Sequence, residues 1–159
     1  MIKYQSEAVE NIRTQAHGCN VLQYPDDNLL LCWYCGSHEG SEDQKIAAAV
    51  RDPSGTWQRS RVLVDRFFHE NDWWIPEIGV PMLKPSGETV VYFWACPLSS
   101  FSIRRKDIWK GKWVRDIGQA RAFRSVMKQG KTQKPAILLE ENGIVLQGAP
   151  IRLQSGRWM

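Results

Sequence analysis

The segment Asn28-Leu-Leu-Leu-Cys-Trp-Tyr-Cys35 decides the fold class of this chain, because it is short and apolar on both faces of an extended strand. It follows a turn cluster at residues 25–28, and a second run of the same character occupies residues 90–96. Such runs are typical of strands that are buried on both sides of a sheet. Helices of that length are too short to be stable by themselves. We therefore predict an all-β fold in which both segments are inner strands.

Turn signals divide the 159 residues into three similar units within one domain. Residues 17–65 predict four successive strands, at 21–24, 29–35, 45–51 and 57–65, and residues 76–116 predict four more, at 78–84, 88–96, 101–106 and 109–116. Residues 134–159 begin a third unit, whose Asn142-Gly143 pair is a strong hairpin signal. The units start roughly 55 residues apart, a spacing typical of a β-propeller blade with an inserted loop.

The charge of the chain is unevenly distributed. The formal net charge is +4, and residues 101–159 carry 13 Lys and Arg against 4 Asp and Glu, whereas residues 1–100 carry 8 against 13. Residues 117–133, in the basic part, predict either a short helix that ends at Gly130 or a long basic loop. The basic residues do not alternate with stacking aromatic residues, so nucleic acid is not an expected partner. A solvated basic face is the ordinary explanation, and an acidic ligand is the alternative.

The sequence also limits the expected location and chemistry. No apolar run approaches the ~20 residues of a membrane span, and the first residues lack the apolar core of a signal peptide. We therefore expect a cytoplasmic protein without membrane contact. Cys32 and Cys35 form a C-x-x-C pair, but residues three apart on a strand point to opposite faces, whereas zinc needs both thiolates on a tight turn. We expect buried structural thiols, no metal and no cofactor.

One turn of the first unit resembles a known motif. Arg51-Asp-Pro-Ser-Gly-Thr-Trp57 is similar to the Asp-box, S-x-D-x-G-x-T-W, which joins the third and fourth strands of sialidase-type blades. Asp52, Thr56 and Trp57 fit the motif. In such a turn the Asp side chain caps backbone amides and the Trp packs between blades.

A longer stretch extends this resemblance. Residues 13–46 contain His17, the Trp33-Tyr34 pair and the loop Gly36-Ser-His-Glu-Gly40, and they resemble the opening blade of neuraminidases in the BNR/Asp-box family. The Lys134-Pro135 pair and the Ala149-Pro-Ile151 stretch resemble later parts of the same family. The likeness covers most of the chain, with the most specific matches in residues 13–65.

The resemblance implies an incomplete β-propeller of the sialidase type, with about two and a half four-stranded antiparallel blades at approximately residues 17–65, 76–116 and 134–159. It implies a glycoside hydrolase that removes terminal sugars from glycans, so the expected partner is a carbohydrate. In sialidases the later blades supply the tyrosine nucleophile and two of the three arginines that bind the sugar carboxylate. We therefore expect negligible hydrolysis by this chain alone, and self-association through its open blade edges.

The resemblance also implies catalytic residues. Asp43 lies in the loop where the family has its general acid and base, Glu39 in the same loop is expected to orient it, and His17 is expected at the channel mouth. The residues alone give plainer explanations, namely a solvated acidic loop beside Lys45 and a structural histidine. We expect Asp43, Glu39 and His17 to open onto one cavity.

Three further residues are candidates for substrate binding. Arg13 and Lys134 are cations within the stretches that resemble the family. Sugars stack their C–H faces on indoles, and we expect one of Trp73 and Trp74 to pack in the core and the other to contact the ligand. Trp74 is the residue that we expect at the edge of the cavity, because it precedes an Ile-Pro step.

A second function class stays open at this point. The chain has Gln15-Ala16-His17 where sialidases have an Arg-Ile-Pro motif, and its Asp-box is degenerate. These departures favour a non-catalytic propeller module that binds a glycan or a protein. The sequence therefore predicts either a sialidase-like glycosidase or such a binding module.

Overall fold

The computed structural model describes residues 6–107 and 112–148, and for residues 102–107 and 112–114 it describes the backbone alone. The described chain is all-β, as the apolar runs predicted, with twelve strands and two 3-10 helices, Leu98–Ser100 and Ile117–Gln119. The strands are β1 Gln15–Gln23, β2 Leu29–Gly36, β3 Lys45–Arg51, β4 Arg61–Val64, β5 Phe67–His69, β6 Asp72–Leu83, β7 Thr89–Pro97, β8 Phe101–Asp107, β9 Lys112–Arg115, β10 Arg121–Lys128, β11 Lys131–Thr132 and β12 Ala136–Leu139.

The first sheet is a meander in which β1, β2, β3 and β4 lie in sequence order with antiparallel neighbours. The order is the one predicted for these residues. β2 lies between β1 and β3, which confirms the inner strand expected from the apolar run. Cys32 packs on one face of β2 and Cys35 on the other, and both are fully buried, as the strand geometry required.

The second sheet has the order β11-β10-β7-β6-β5, and β12 also pairs with β10. The inner strand predicted at residues 90–96 is confirmed as β7, between β6 and β10. The expected neighbours differ, because β8 and β9 form a separate hairpin. Residues 121–128, for which a helix or a basic loop was expected, supply the missing strand β10 instead.

The reason for this difference is burial. Ala122, Phe123 and Ser125 are buried when β10 pairs with β7, whereas Arg124 is exposed. Burial of the Phe123 side chain in the core stabilises the extended conformation of this polar segment. Strand propensity depends on the local sequence and does not include this contribution.

The third predicted unit is not a separate sheet within the described residues. Its first strand, β12, joins the second sheet through β10, and residues 144–148 form no strand. Two parts of the predicted pattern, residues 108–111 and residues 149–159, lie outside the described residues, and the Ala149-Pro-Ile151 stretch falls in the second of them.

The main core lies between the two large sheets. Leu30, Cys32, Ile46 and Ala48 of the first sheet belong to one buried cluster with aromatic residues of the second. Those aromatic residues contact each other edge-on or stacked, with ring centroids 4.9–5.9 Å apart, and they are Phe67, Trp74, Phe93 and Phe123. Replacing a buried Phe by Ala typically lowers the free energy of unfolding by about 3–5 kcal/mol. Contacts among these aromatic side chains therefore contribute strongly to the packing of the two sheets.

The outer face of the first sheet is covered by the segment that precedes β1. Val9 and Ile12 pack against Trp33, whose indole N–H donates to Asn11 Oδ1 at 3.0 Å. Trp57 packs on the same cluster, and its indole N–H donates to Glu7 Oε2 at 2.8 Å.

The turn at residues 51–57, which resembles an Asp-box in sequence, has the expected local geometry. Asp52 Oδ1 accepts hydrogen bonds from the Thr56 N–H at 2.9 Å and from the Ser54 hydroxyl at 2.6 Å. These bonds lower the pKa of Asp52, the Ser54 bond contributing most. Because Asp52 is occupied by its own turn, the motif has a structural role here.

Candidate functional site

Two β-bulges face each other where the sheets meet. The pairing of β1 with β2 shifts register between His17 and Asn20, and the pairing of β6 with β7 shifts between Glu77 and Val80. The Asn20 side-chain amide donates to the Gly79 carbonyl at 3.2 Å and so links the two irregular segments. Bulges bend a strand and redirect side chains, and they are common beside functional sites.

The backbone at both bulges adopts left-handed conformations. Gly18 has φ +60°, and a Cβ added there would lie 3.0 Å from Tyr34 Cε1 and 3.1 Å from Ile78 Cγ1. Ile78 itself has φ +38°, which is strained for a β-branched residue. Packing between β1, β2 and β6 maintains this unfavourable backbone conformation and positions the neighbouring residues.

Glu77 and Arg115 form a buried ion pair next to the β6 bulge. Arg115 Nη2 donates to Glu77 Oε2 at 2.5 Å, and Arg115 Nε contacts Glu77 Oε1. The Glu77 side chain is 1% exposed, and the Arg115 guanidinium lies over the Trp94 ring, 5.3 Å from its centroid. Burial outweighs the attraction of Arg115 and raises the pKa of Glu77 to about 7. Burial thus favours the protonated form of the carboxyl, and the Arg115 guanidinium favours the ionised form.

Tyr34 lies on the first sheet beside the same bulges, and its ring stacks on that of His17 with centroids 5.4 Å apart. Burial raises the pKa of Tyr34 to about 12, and the negative charges of Glu39 and Glu77 add to this effect. The phenol is consequently protonated at neutral pH and acts as a hydrogen-bond donor rather than as a nucleophile. We call the set His17, Tyr34, Glu77, Trp94 and Arg115 the bulge site.

Of the three expected catalytic residues, one belongs to the bulge site and a second lies near it. His17 stacks on Tyr34, and the charge of Glu39 acts on the same tyrosine. Glu39 is exposed, and its backbone N–H donates to Gln15 Oε1 at 3.0 Å. His17 and Glu39 therefore approach Tyr34, which the sequence interpretation did not select.

Asp43 has a different environment. Its Oδ1 accepts from the Ser37 N–H at 3.0 Å and from the Ser37 hydroxyl at 2.9 Å. Burial acts to raise its pKa, but the hydrogen bonds from Ser37, the nearby Ser41 hydroxyl and the charge of Arg13 together lower it to about 2. A general acid must hold its proton near the working pH, so Asp43 has the opposite of the required property.

Asp43 lines an open cleft with a volume of about 360 Å³. The residues that line the cleft are all charged, and they are Arg13, Glu42, Asp43, Lys45, Asp65 and Arg66. Lys45 Nζ lies 2.9 Å from Asp65 Oδ2. His17, Glu39 and Trp74 are not among the lining residues, so the predicted residues do not share one cavity: Asp43 lines the cleft, His17 belongs to the bulge site and Trp74 packs in the main core.

The two tryptophans have the reverse of the expected burial. Trp74 is 4% exposed, packs in the main core and donates its indole N–H to the His69 carbonyl at 2.9 Å. Trp73 is 43% exposed, because alternate residues of a strand face opposite sides. Sequence alone offered no way to choose the inward face of this hairpin. Lys134 is exposed between β11 and β12 and lines neither the cleft nor the bulge site.

The sequence interpretation missed Tyr34, Glu77 and Arg115. One signal for Glu77 was available, since it is the one charged residue within the apolar run at residues 73–83, Trp-Trp-Ile-Pro-Glu-Ile-Gly-Val-Pro-Met-Leu. A carboxyl in such a strand is costly to bury without a partner. Its partner Arg115 is 38 residues distant in sequence, so only the folded chain identifies it.

No three His, Cys, Asp or Glu side chains come together as metal ligands among the described residues, and no described helix is long and apolar enough to cross a membrane. Burial raises the pKa of the Cys32 thiol to about 12 and that of Cys35 to about 11, so both thiols are unreactive at neutral pH.

Comparisons with known proteins give no family assignment. No protein family matches the chain, and no curated protein is significantly similar to it.

Proposed function

We propose that this chain carries the sugar-recognising part of a sialidase-like glycoside hydrolase, with the bulge site as its centre and Glu77 as the proton-exchanging carboxyl. The observation that carries the proposal is the burial of Glu77, which raises its pKa to about 7. Glycosidases need such a carboxyl to protonate the leaving oxygen. The resemblance implied that Asp43 is the general acid and base. In this proposal Glu77 has that role instead.

The architecture supports the same proposal. Two antiparallel sheets pack face to face, and the edge strand β1 contacts β6. Neighbouring blades of a propeller pack in this way, and their loops form sites near the axis. An incomplete sialidase-type propeller is therefore the fold that we propose for the arrangement.

The side chains of the bulge site suit a sugar. Tyr34 and Arg115 are hydrogen-bond donors at neutral pH, and Glu77 is an acceptor when it is ionised. The Trp94 indole N–H is buried beside Arg115 without a hydrogen-bond partner among the described residues. Buried polar atoms normally have partners, so this donor favours a ligand oxygen in the site.

The test uses the full chain with a panel of fluorogenic glycosides and a glycan array. The Glu77→Gln variant keeps the size of the side chain and removes its titration. We expect glycan binding by the unaltered chain, weakened at least tenfold in the variant, and negligible hydrolysis by either, since no described residue provides an activated nucleophile. Glu88→Gln, a surface carboxyl paired with Lys84, is the matched control.

Two results would overturn the proposal. One is the absence of binding to any glycan by a folded chain. The other is binding that Glu77→Gln leaves unchanged while its thermal stability shows that the variant is folded.

A non-catalytic binding module is the second candidate, and the low pKa of Asp43 favours it. Measurable hydrolysis by the chain, lost in Glu77→Gln, would exclude this candidate. Glycan or protein binding with no hydrolysis, even when later propeller blades are added as a separate chain, would favour it.

A further inference from the structure

The outer strands of the two large sheets differ in how open their free edges are. Among the described residues these strands are β1, β4, β5, β11 and β12. β4 and β11 contact each other, and the Thr132 hydroxyl donates to the Leu63 carbonyl between them. The pairings of β1 and β12 each contain a bulge, a feature that discourages pairing with another chain. β5 pairs with β6 without a register shift and so has a regular free edge.

The backbone of β5 presents hydrogen-bonding groups at this edge. Residues 70–71 form the two-residue loop of the β5–β6 hairpin, and His69 faces Asp72 across it. The pair that closes such a loop is hydrogen-bonded, and the next pair along an antiparallel ladder is not. Phe68, which faces Trp73, therefore directs its N–H and C=O away from β6. No backbone group of the described residues pairs with them there.

Two exposed aromatic side chains lie beside the same edge. Phe68 is 51% exposed and Trp73 is 43% exposed, and their rings contact edge-on with centroids 5.6 Å apart. The Arg66 guanidinium lies over the Trp73 ring, 5.4 Å from its centroid. Large apolar side chains in contact at a free strand edge favour association with another protein surface.

The charges at the two ends of β5 make this edge complementary to itself. Arg66 directly precedes the strand and Glu70 directly follows it. When β5 of two copies pair antiparallel with Phe68 at the two-fold axis, Arg66 of each copy faces Glu70 of the other. Opposite charges at facing positions stabilise a strand pair, and a two-fold interface requires a self-complementary surface. The Glu70 side chain pairs with Arg121 but is half exposed, so it remains accessible to a second chain.

We propose that β5 forms an antiparallel, two-fold interface with β5 of a second copy of this chain. The two Phe68 residues pair through their backbone groups at the axis, and the Phe68 and Trp73 rings of both copies lie on one face of the joined sheet. The sequence predicted self-association through open edges, and this proposal assigns it to one strand and one register. Because the strand is short, we expect a dissociation constant in the micromolar range.

Sedimentation equilibrium of the full chain over a range of concentrations tests the proposal. We expect a monomer–dimer equilibrium that high salt weakens, because part of the attraction is between exposed charges. Phe68→Ser and Trp73→Ser should each raise the dissociation constant about tenfold or more. Val62→Ser is the matched control, because Val62 lies on β4 and is also 43% exposed, and it should leave the equilibrium unchanged.

Charge reversal tests the register of the two strands. Arg66→Glu and Glu70→Lys should each abolish the dimer, because like charges then face each other twice across the axis. An equimolar mixture of these two variants should form a heterodimer, since each facing pair is again of opposite sign. Circular dichroism checks that the Glu70→Lys variant is folded without its contact to Arg121. Glu88→Lys, at a surface carboxyl paired with Lys84, is the control for charge reversal.

Three outcomes would overturn this inference. They are a monomer at every concentration, assemblies larger than a dimer that persist in the charge variants, and a mixture of the two folded charge variants that remains monomeric. The inference does not rest on the proposed function, because Glu77→Gln should leave the dimer unchanged. Failure of one proposal can thus be distinguished from failure of the other.

Discussion

Glu77 lies on β6 of the second sheet and Asp43 in the loop between β2 and β3, and their environments shift the pKa values of the two carboxyl groups in opposite directions. Burial of Glu77 within the packed strands raises its pKa to about 7 although Arg115 lies beside it. Asp43 lies in a loop whose backbone and serine hydroxyls donate to it, and its pKa falls to about 2. The comparison shows that the surroundings of a carboxyl set its pKa. An acidic residue in a prominent loop is therefore not necessarily the one whose pKa suits proton transfer.

The largest expected effect comes from separating Glu77 from its partner. Arg115→Met leaves the Glu77 carboxylate without a counter-charge, so we expect the free energy of unfolding at pH 9, where that carboxyl is ionised in the unaltered chain, to fall by about 3–5 kcal/mol. Urea denaturation measures the change, and Arg124→Met is the control for the loss of an arginine. Adding Glu77→Leu to Arg115→Met should recover most of the loss. A double variant as unstable as the single one would show that the damage comes from packing instead.

A smaller effect concerns how stability depends on pH. The folded-state pKa of Glu77, about 7, lies above the ordinary value of 4.5 for a glutamate, so the folded chain binds more protons than the unfolded chain between those pH values. Its contribution to stability is present below about pH 4.5 and is lost as the pH rises through about 7, on the order of 2–3 kcal/mol. Urea denaturation from pH 4.5 to 8 should show this decline, and Glu77→Gln should flatten it. An unchanged slope in that variant would contradict the assignment.

The smallest expected effect has the opposite sign. The folded-state pKa of Asp43 lies below the ordinary value of 3.8 for an aspartate, so its contribution to stability is present above that pH and is lost as the pH falls toward about 2. Because Asp43 is partly exposed, we expect Asp43→Asn to cost only about 1 kcal/mol at pH 7, through weaker hydrogen bonds from Ser37. The variant should also reduce the acid sensitivity of the chain between pH 4 and 2.

Asp52→Asn is the matched control for this test, because Asp52 is another turn carboxylate with a lowered pKa and lies outside the cleft. If Asp43→Asn behaved as Glu77→Gln does, with a change centred near pH 7, the contrast between the two carboxyls would be wrong.

The sequence predicted the parts of this fold that local patterns encode. The doubly apolar runs at β2 and β7 required inner strands, because no other short element buries both faces. The alternation of turns and apolar runs was sufficient for the order of the first sheet. The local pattern did not predict β10, because this segment is extended through its pairing with β7.

The residues of the candidate site were likewise predicted only in part. His17 and Glu39 were selected from a local resemblance, and both act on Tyr34 in the fold. The choice between Trp73 and Trp74 could not be made locally, because a shift of one residue exchanges the two faces of a strand.

The sequence by itself determined the all-β class, the two inner strands and the opposed positions of Cys32 and Cys35, since strand periodicity acts between neighbours in the chain. The tertiary structure alone decided that β10 completes the second sheet and that Glu77 is buried against Arg115. The physical reason is that burial and charge pairing depend on distances through space. Two groups 38 residues apart can meet only when the sheets have packed, and their desolvation then sets the pKa on which the proposed chemistry depends.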